Sequence, residues 1–223
     1  MRDLHELIDT TDSAITVVRE CLESSENQYE VLPPSGRRDD VLLDLQVSTR
    51  STLGAVAYET GGILIDHGWL RILGSGSTRL TRDLAAWNKA RADGFVLIAD
   101  DAVGGFFAIN SNGLGDDAGA IYYWAPDTLE WEPLGAGYTD FLCWALTAQL
   151  GAFYENLRWP GWQAAMQDVS PDECFSFYPF LWTSEGSVTS SLRKAISAAE
   201  QYAFNGDMLR QLRQREMNDD QQD

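Results

Sequence analysis

Between Gly94 and Leu134 the chain passes through four short apolar runs separated by turns rich in glycine or proline. Gly94-Phe95-Val96-Leu97-Ile98-Ala99 reads as a buried strand ended by Asp100-Asp101, and Gly104-Gly105 turns the chain into Phe106–Asn110. A glycine-rich turn from Asn112 to Gly119 leads to Ala120–Trp124, and Pro126-Asp127 turns into Trp131–Leu134. Runs of this length cannot cross a domain as helices, and their tight turns bring each back beside the last. The pattern predicts an antiparallel meander.

Around this centre the spacing changes. Ile15, Val18, Cys21 and Leu22 fall on one helical face, with Asp12 as a candidate cap. After Pro33-Pro34-Ser35-Gly36 a second helix is expected from Arg37 to Val47. Leu53–Thr60 reads as a strand, Gly61-Gly62 as a turn, and Ile63–Asp66 and Trp69–Leu73 as further strands. Arg82–Ala92 suggests a short helix, and Thr139–Leu150 carries an apolar helical stripe of Phe141, Leu142, Ala145 and Leu146. Short helices are expected over Ala152–Leu157 and after Pro160, and an extended aromatic segment over Cys174–Thr183. Ser190–Arg215 reads as partly helical with a break at Asn205-Gly206. The expected fold is a single α+β domain over residues 1–216: a mostly antiparallel, twisted sheet with N-terminal and C-terminal helices packed on it. A polar tail over 217–223 should fray.

Composition narrows the partners. The 223 residues carry a formal charge of −18, which opposes binding to nucleic acid and to anionic membranes, because both need Lys and Arg against phosphates. No run reaches the length of a membrane-spanning helix, and no secretory signal follows Met1-Arg2. Three scattered cysteines, Cys21, Cys143 and Cys174, suggest reduced thiols and a cytoplasmic location. Residues 100–185 hold 18 of the 25 aromatic side chains and 13 acids against one base, Arg158. Such a stretch either packs a sheet tightly or grips something cationic.

Two resemblances add to this. The stretch Gly94–Asp101, Gly104–Asn110, Gly119–Tyr123 and Tyr138–Leu142 resembles the core of the SUKH superfamily of immunity proteins. That resemblance implies a SUKH-like core and a non-catalytic role in covering a toxin. Over its whole length the chain resembles an uncharacterised bacterial domain-of-unknown-function family, number 2625. The carrying runs are Tyr58–Gly62 with Asp66–Arg71, Ala125–Trp131, Arg158–Trp162 and Phe175–Trp182. This second resemblance implies no function.

Candidate chemistry is sparse. His67 beside Asp66 could act as a base, but strand neighbours point to opposite faces, and a hydrogen-bonded histidine at a turn is the simpler reading. Gly74-Ser75-Gly76-Ser77-Thr78-Arg79 lacks the phosphate-loop lysine. Asn110, Asn112, Asp116 and Asp117 lack the bidentate Glu of a calcium loop, and no Cys/His cluster has zinc spacing, so no metal and no cofactor are expected. Asp100 and Asp101 project apart and read as part of an acidic rim. With Asp116, Asp117, Asp127, Glu130 and Glu132 they form the expected partner surface, a negative face covering a basic protein such as a toxin domain. Trp131 is the preferred exposed anchor, although the same alternation also permits a buried indole between two solvated acids. The alternative is a carbohydrate-like binding or hydrolytic pocket lined by Asp66, His67, Trp69, Trp159, Trp162, Tyr178 and Trp182. A structural role without a ligand is the third reading.

Overall fold

The structure is a computed structural model that describes residues 1–219. It is an α+β fold built on one seven-stranded sheet, whose strands lie in chain order with every neighbouring pair antiparallel. The strands are β1 (Tyr29–Leu32), β2 (Gly62–Ile65), β3 (Leu70–Leu73), β4 (Phe95–Asp101), β5 (Phe106–Asn110), β6 (Ile121–Trp124) and β7 (Trp131–Pro133). The meander expected between Gly94 and Leu134 is therefore β4 to β7, extended on its other side by β3, β2 and β1.

Both faces of this sheet are covered. On one face Phe107 and Tyr123 meet Phe141 of α6 (Tyr138–Ala145) and Phe153 of α7 (Gln149–Phe153), with ring centroids 4.6–6.3 Å apart. On the other, Phe106 and Trp124 meet Trp87 of α5 (Leu84–Asn88) and Tyr202 of α9 (Ala198–Asp219) at 5.0–6.5 Å. Alternation alone would bury one of the pairs Ile121/Tyr123 and Tyr122/Trp124. Here all four are buried, because the sheet is the middle of three layers. At the β1 end the N-terminal helices α2 (Ile15–Glu23), α3 (Arg38–Leu45) and α4 (Thr52–Glu59) add to the cover, with α1 (Leu4–Leu7) against α3.

Several local expectations are corrected. Leu53–Thr60 is not a strand but α4, opened by the Ser51 hydroxyl, which accepts from the Gly54 amide at 3.1 Å. Asp12 does not cap α2, since its own amide is taken by the Asp9 carboxylate and Ser13 Oγ accepts from Ile15 N at 3.3 Å. The helix expected over Thr139–Leu150 divides into α6 and α7. Its carbonyls at the break are taken by the segment before β1: Asn27 Nδ2 donates to Ala145 O and Thr147 O, and Glu26 N donates to Leu146 O at 2.8 Å. The chain continues through a 3₁₀ turn (Glu155–Leu157) and α8 (Trp162–Met166).

The C-terminal third adds a two-stranded sheet, β8 (Glu173–Tyr178) with β9 (Leu192–Ser197). The extended aromatic segment is thus a strand, and its partner replaces the first part of the expected helix. Helix α9 then runs unbroken through Asn205-Gly206, because Asn205 is buried, donates to Gly104 O at 3.3 Å and accepts from Gln201 Nε2 at 2.6 Å. It continues to Asp219, while 220–223 of the expected tail lie outside the described residues. Cys21 and Cys143 are joined by a disulfide between α2 and α6, contrary to the expected reduced thiols, and Cys174 is free and buried. Among the described residues no helix is long and apolar enough to cross a membrane.

Candidate functional site

The acids expected on one rim are divided by the fold. Asp100 and Asp101 close β4 in the interior, 1% and 0% exposed, on opposite faces of the sheet. Neither belongs to a rim: arginines from elsewhere in the chain satisfy Asp100, and amides and tyrosine hydroxyls satisfy Asp101. Asp100 binds Arg71 of β3 at 2.6 Å and also Arg82, whose Nε reaches Asp172 at 3.0 Å. Arg71 Nη2 donates in addition to Glu173 O at 3.0 Å, tying β3 to β8. Burial alone would lower the pKa of Arg82, but the flanking carboxylates hold it above its usual value.

Asp101 accepts four hydrogen bonds. Its Oδ1 takes the amides of Val103 (3.0 Å) and Gly105 (2.8 Å), and its Oδ2 takes the hydroxyls of Tyr123 (2.7 Å) and Tyr154 (3.0 Å). Burial raises its pKa despite those donors, and burial likewise pushes both phenols well above their ordinary range. Gly105 is obligatory here, since a Cβ would come within 2.3 Å of Tyr123 Oη and 2.4 Å of Asp101 Oδ2. This is a bolt through the middle layer and not a surface for a partner.

Asp116 and Asp117 lie in the β5–β6 loop, before Ile121. Asp127 and Glu130 lie in the β6–β7 connection, after Trp124. The two pairs therefore sit at opposite ends of β6. Asp117 is also committed to its own loop: the Tyr122 hydroxyl donates to it at 2.7 Å and depresses its pKa, and Asn110 Nδ2 donates at 3.0 Å. Of the four residues compared with a calcium loop, Asn110 and Asp117 are thus spent on bonds within the loop. Among the described residues no group of three or more His, Cys, Asp or Glu is placed to hold a metal.

What remains together is the β6–β7 hairpin. Asp127, Glu130 and Glu132 are exposed, and none of them is in an ion pair among the described residues. Trp131 pairs with Trp124 across the strands, stacks on it at 5.6 Å and meets Phe95 at 5.2 Å, which leaves it half-buried. It is thus neither the fully exposed anchor nor the fully buried indole that alternation permits. Strand β7 is the last of the seven, so its outer edge carries no ladder partner among the described residues.

The residues of the alternative pocket converge in part: Trp69 meets Trp159 at 5.7 Å and Trp162 at 5.0 Å, with Asp66 and His67 beside them, but Tyr178 and Trp182 make other contacts. Trp69 and Trp159 are buried, while Tyr178 is 67% exposed on β8 and Trp182 stacks on Phe180 at 4.5 Å. Asp66 is taken by Arg158 at 2.5 Å, and that guanidinium lies over Trp162 at 4.1 Å and Trp69 at 4.9 Å. The single base of the aromatic half is therefore the filling of an aromatic cage built by its own chain. His67 is exposed at the tip of a hairpin, edge-on to Trp162 at 5.8 Å, and faces an open groove of about 360 Å³ shared with Tyr29, Arg79 and Gln163. In the suspected phosphate loop, Ser75 is spent on Ser35 and Thr60, and Arg79 on Glu30.

Sequence reasoning missed Arg71 and Arg82 as partners of Asp100, and Tyr123 and Tyr154 as partners of Asp101. A signal existed: an arginine inside the apolar strand Leu70–Leu73 needs a buried acid.

The chain is 45% identical over 204 residues to the putative uncharacterized protein YbfG of Escherichia coli, covering 90% of this chain and 94% of that one. It is 39% identical over 191 residues to an uncharacterized protein of Haemophilus influenzae, covering 81% and 83%. Residues 4–201 match the model of a protein family of unknown function, DUF2625, and the chain belongs to that family.

Proposed function

We propose that this is a non-catalytic protein-binding module whose β6–β7 hairpin receives a basic partner, in the manner of an immunity protein covering a toxin. The observation that carries the reading is the edge itself. Three exposed carboxylates, none of them in an ion pair among the described residues, lie in the same hairpin as a half-buried Trp131 on the last strand of the sheet. Carboxylates of this kind accelerate encounter with a cationic surface, and a stacked indole offers a rigid apolar and π-face contact for an arginine or lysine. The contact surface contracts to Asp127, Glu130, Trp131 and Glu132, and Asp100 and Asp101 hold the platform from within.

A cytoplasmic location is part of this proposal. The Cys21–Cys143 bond argues against it, since a reducing cytosol keeps such pairs as thiols. Acid quenching of cells, then alkylation of the denatured protein before mass spectrometry, decides the matter: labelled Cys21 and Cys143 would agree with the cytoplasm, unlabelled ones would not.

The binding reading is tested by immobilising the protein and passing lysate at low salt over it and over a variant carrying Asp127→Asn, Glu130→Gln, Trp131→Ala and Glu132→Gln. A partner retained by the wild type, released near physiological ionic strength and lost on the variant is the expected outcome. Screening acts over about 8 Å at 0.15 M salt, so exposed charge pairs weaken there. A partner held equally by the variant would refute the assignment of the site.

A further inference from the structure

We propose that the free edge of β1 takes up an extended segment of a partner protein as an eighth strand, with one uncharged polar side chain seated in the groove beside His67. Pairing with β2 turns the peptide groups of Gln28, Glu30 and Leu32 inward: Asp66 N donates to Gln28 O at 2.7 Å, and Gly61 N donates to Leu32 O at 2.8 Å. Alternation then turns the N–H and C=O of Tyr29 and Val31 outward, and among the described residues nothing bonds them. Gln28, Tyr29, Glu30 and Val31 are all exposed, so the edge is open. Donors and acceptors alternating along a strand are matched by the backbone of another strand, and not by a helix.

This edge also lacks the devices that keep sheets from pairing. It has no proline, lysine or bulge, and its one acid, Glu30, is in an ion pair with Arg79. The opposite edge is blunted, since β7 is short, ends in Pro133 and carries Glu132. The groove supplies the selectivity. The cross-strand pair Glu30 and Leu64 lines it on one face of the sheet, and Gln163, Met166 and Gln167 line it from α8 and the residue after it. A residue of the added strand opposite Glu30 stands on that same face. Glu30 and Arg79 neutralise each other, and the side-chain amides of Gln28, Gln163 and Gln167 make no hydrogen bond among the described residues. The groove thus offers hydrogen bonds without net charge, which selects an uncharged polar side chain over an ionised one. A second copy fits worse: the two-fold register that sets Tyr29 against Val31 of the other copy also sets Glu30 against Glu30, a destabilising like-charge pair.

The test pans a phage-displayed library of random short peptides on the immobilised full chain and titrates the strongest binders into the ¹⁵N-labelled protein. In the free chain the Tyr29 and Val31 amides should exchange quickly with solvent and the Glu30 amide slowly; with peptide bound, all three should exchange slowly. Val31→Pro deletes an outward N–H and leaves the bonds to β2 intact, so it should melt near the wild-type temperature. It should weaken the peptides by about tenfold or more, the equivalent of one lost hydrogen bond, and so should Gln163→Ala/Gln167→Ala. A library that yields no binder, or binders retained by either variant, would overturn the proposal. Tyr29 and Val31 amides already protected in the free chain would do so too, because a second copy would then hold the edge.

Discussion

At the scale of single residues, the central fact is that two adjacent aspartates are spent in opposite directions. Asp100 bridges two arginines, one of them shared with Asp172, and Asp101 gathers four donors. Removing the second leaves two hydroxyls and two amides without an acceptor in the interior. Asp101→Ala should therefore cost more than about 3 kcal/mol in urea denaturation, while Asp101→Asn, which keeps one carbonyl oxygen, should cost much less. Gly105→Ala drives a methyl group into the same cluster and should cost roughly 1–3 kcal/mol.

Asp172 gives a pH signature. Burial would raise its pKa, but bonds from Thr81 and Arg82 prevail and hold it below the ordinary value. Its contribution is then present above the unfolded carboxylate pKa, about 3.9, and is lost as pH falls through the lower folded value. Denaturation midpoints measured from pH 5 downwards should show a shallower acid limb for Asp172→Asn than for wild type. An identical limb would remove Asp172 from the account. These residues were visible in the sequence as acids, but their arginine and tyrosine partners were not, because sequence distance says nothing about what a sheet brings together.

At the scale of elements, the meander was legible because turn chemistry and strand length are local. The misreadings have local causes too. The run Leu53–Tyr58 is buried nearly all round, so it lacks the alternation that separates strand from helix, and Gly54 sits against the Ser48 carbonyl, where a Cβ would come within 2.1 Å. The cap Ser51 was the overlooked sign. Strand β9 misleads in the opposite way, since Leu192, Ala195 and Ile196 have helical spacing and only pairing with β8 makes them extended. The bond between Cys21 and Cys143 spans 122 residues, so it restricts the unfolded chain strongly. Replacing both by serine should lower stability by roughly 2–5 kcal/mol, read from urea midpoints under non-reducing conditions. Equal stability with and without the pair would mean that the α2–α6 contact needs no covalent tie.

At the scale of the whole molecule, the acids of the expected partner surface are partly internal and partly divided between the two ends of β6. The acids and aromatics of the candidate site are legible in the sequence, including Trp131 between Glu130 and Glu132. The fold decided the rest: it withdrew Asp100 and Asp101, and it gathered Asp66, His67, Trp69, Trp159 and Trp162 into one cluster filled by Arg158, while Tyr178 is exposed and Trp182 stacks on Phe180. What concentrates at one unpaired edge is Asp127, Glu130, Trp131 and Glu132. The most direct measurement is an NMR titration of the ¹⁵N-labelled protein with a hexa-arginine peptide. The account predicts that the largest shifts fall on the backbone of residues 127–132 and on the Trp131 indole N–H, and that they shrink as salt is added. Shifts spread evenly over every exposed acid, or centred on the Asp116–Asp117 loop, would contradict it.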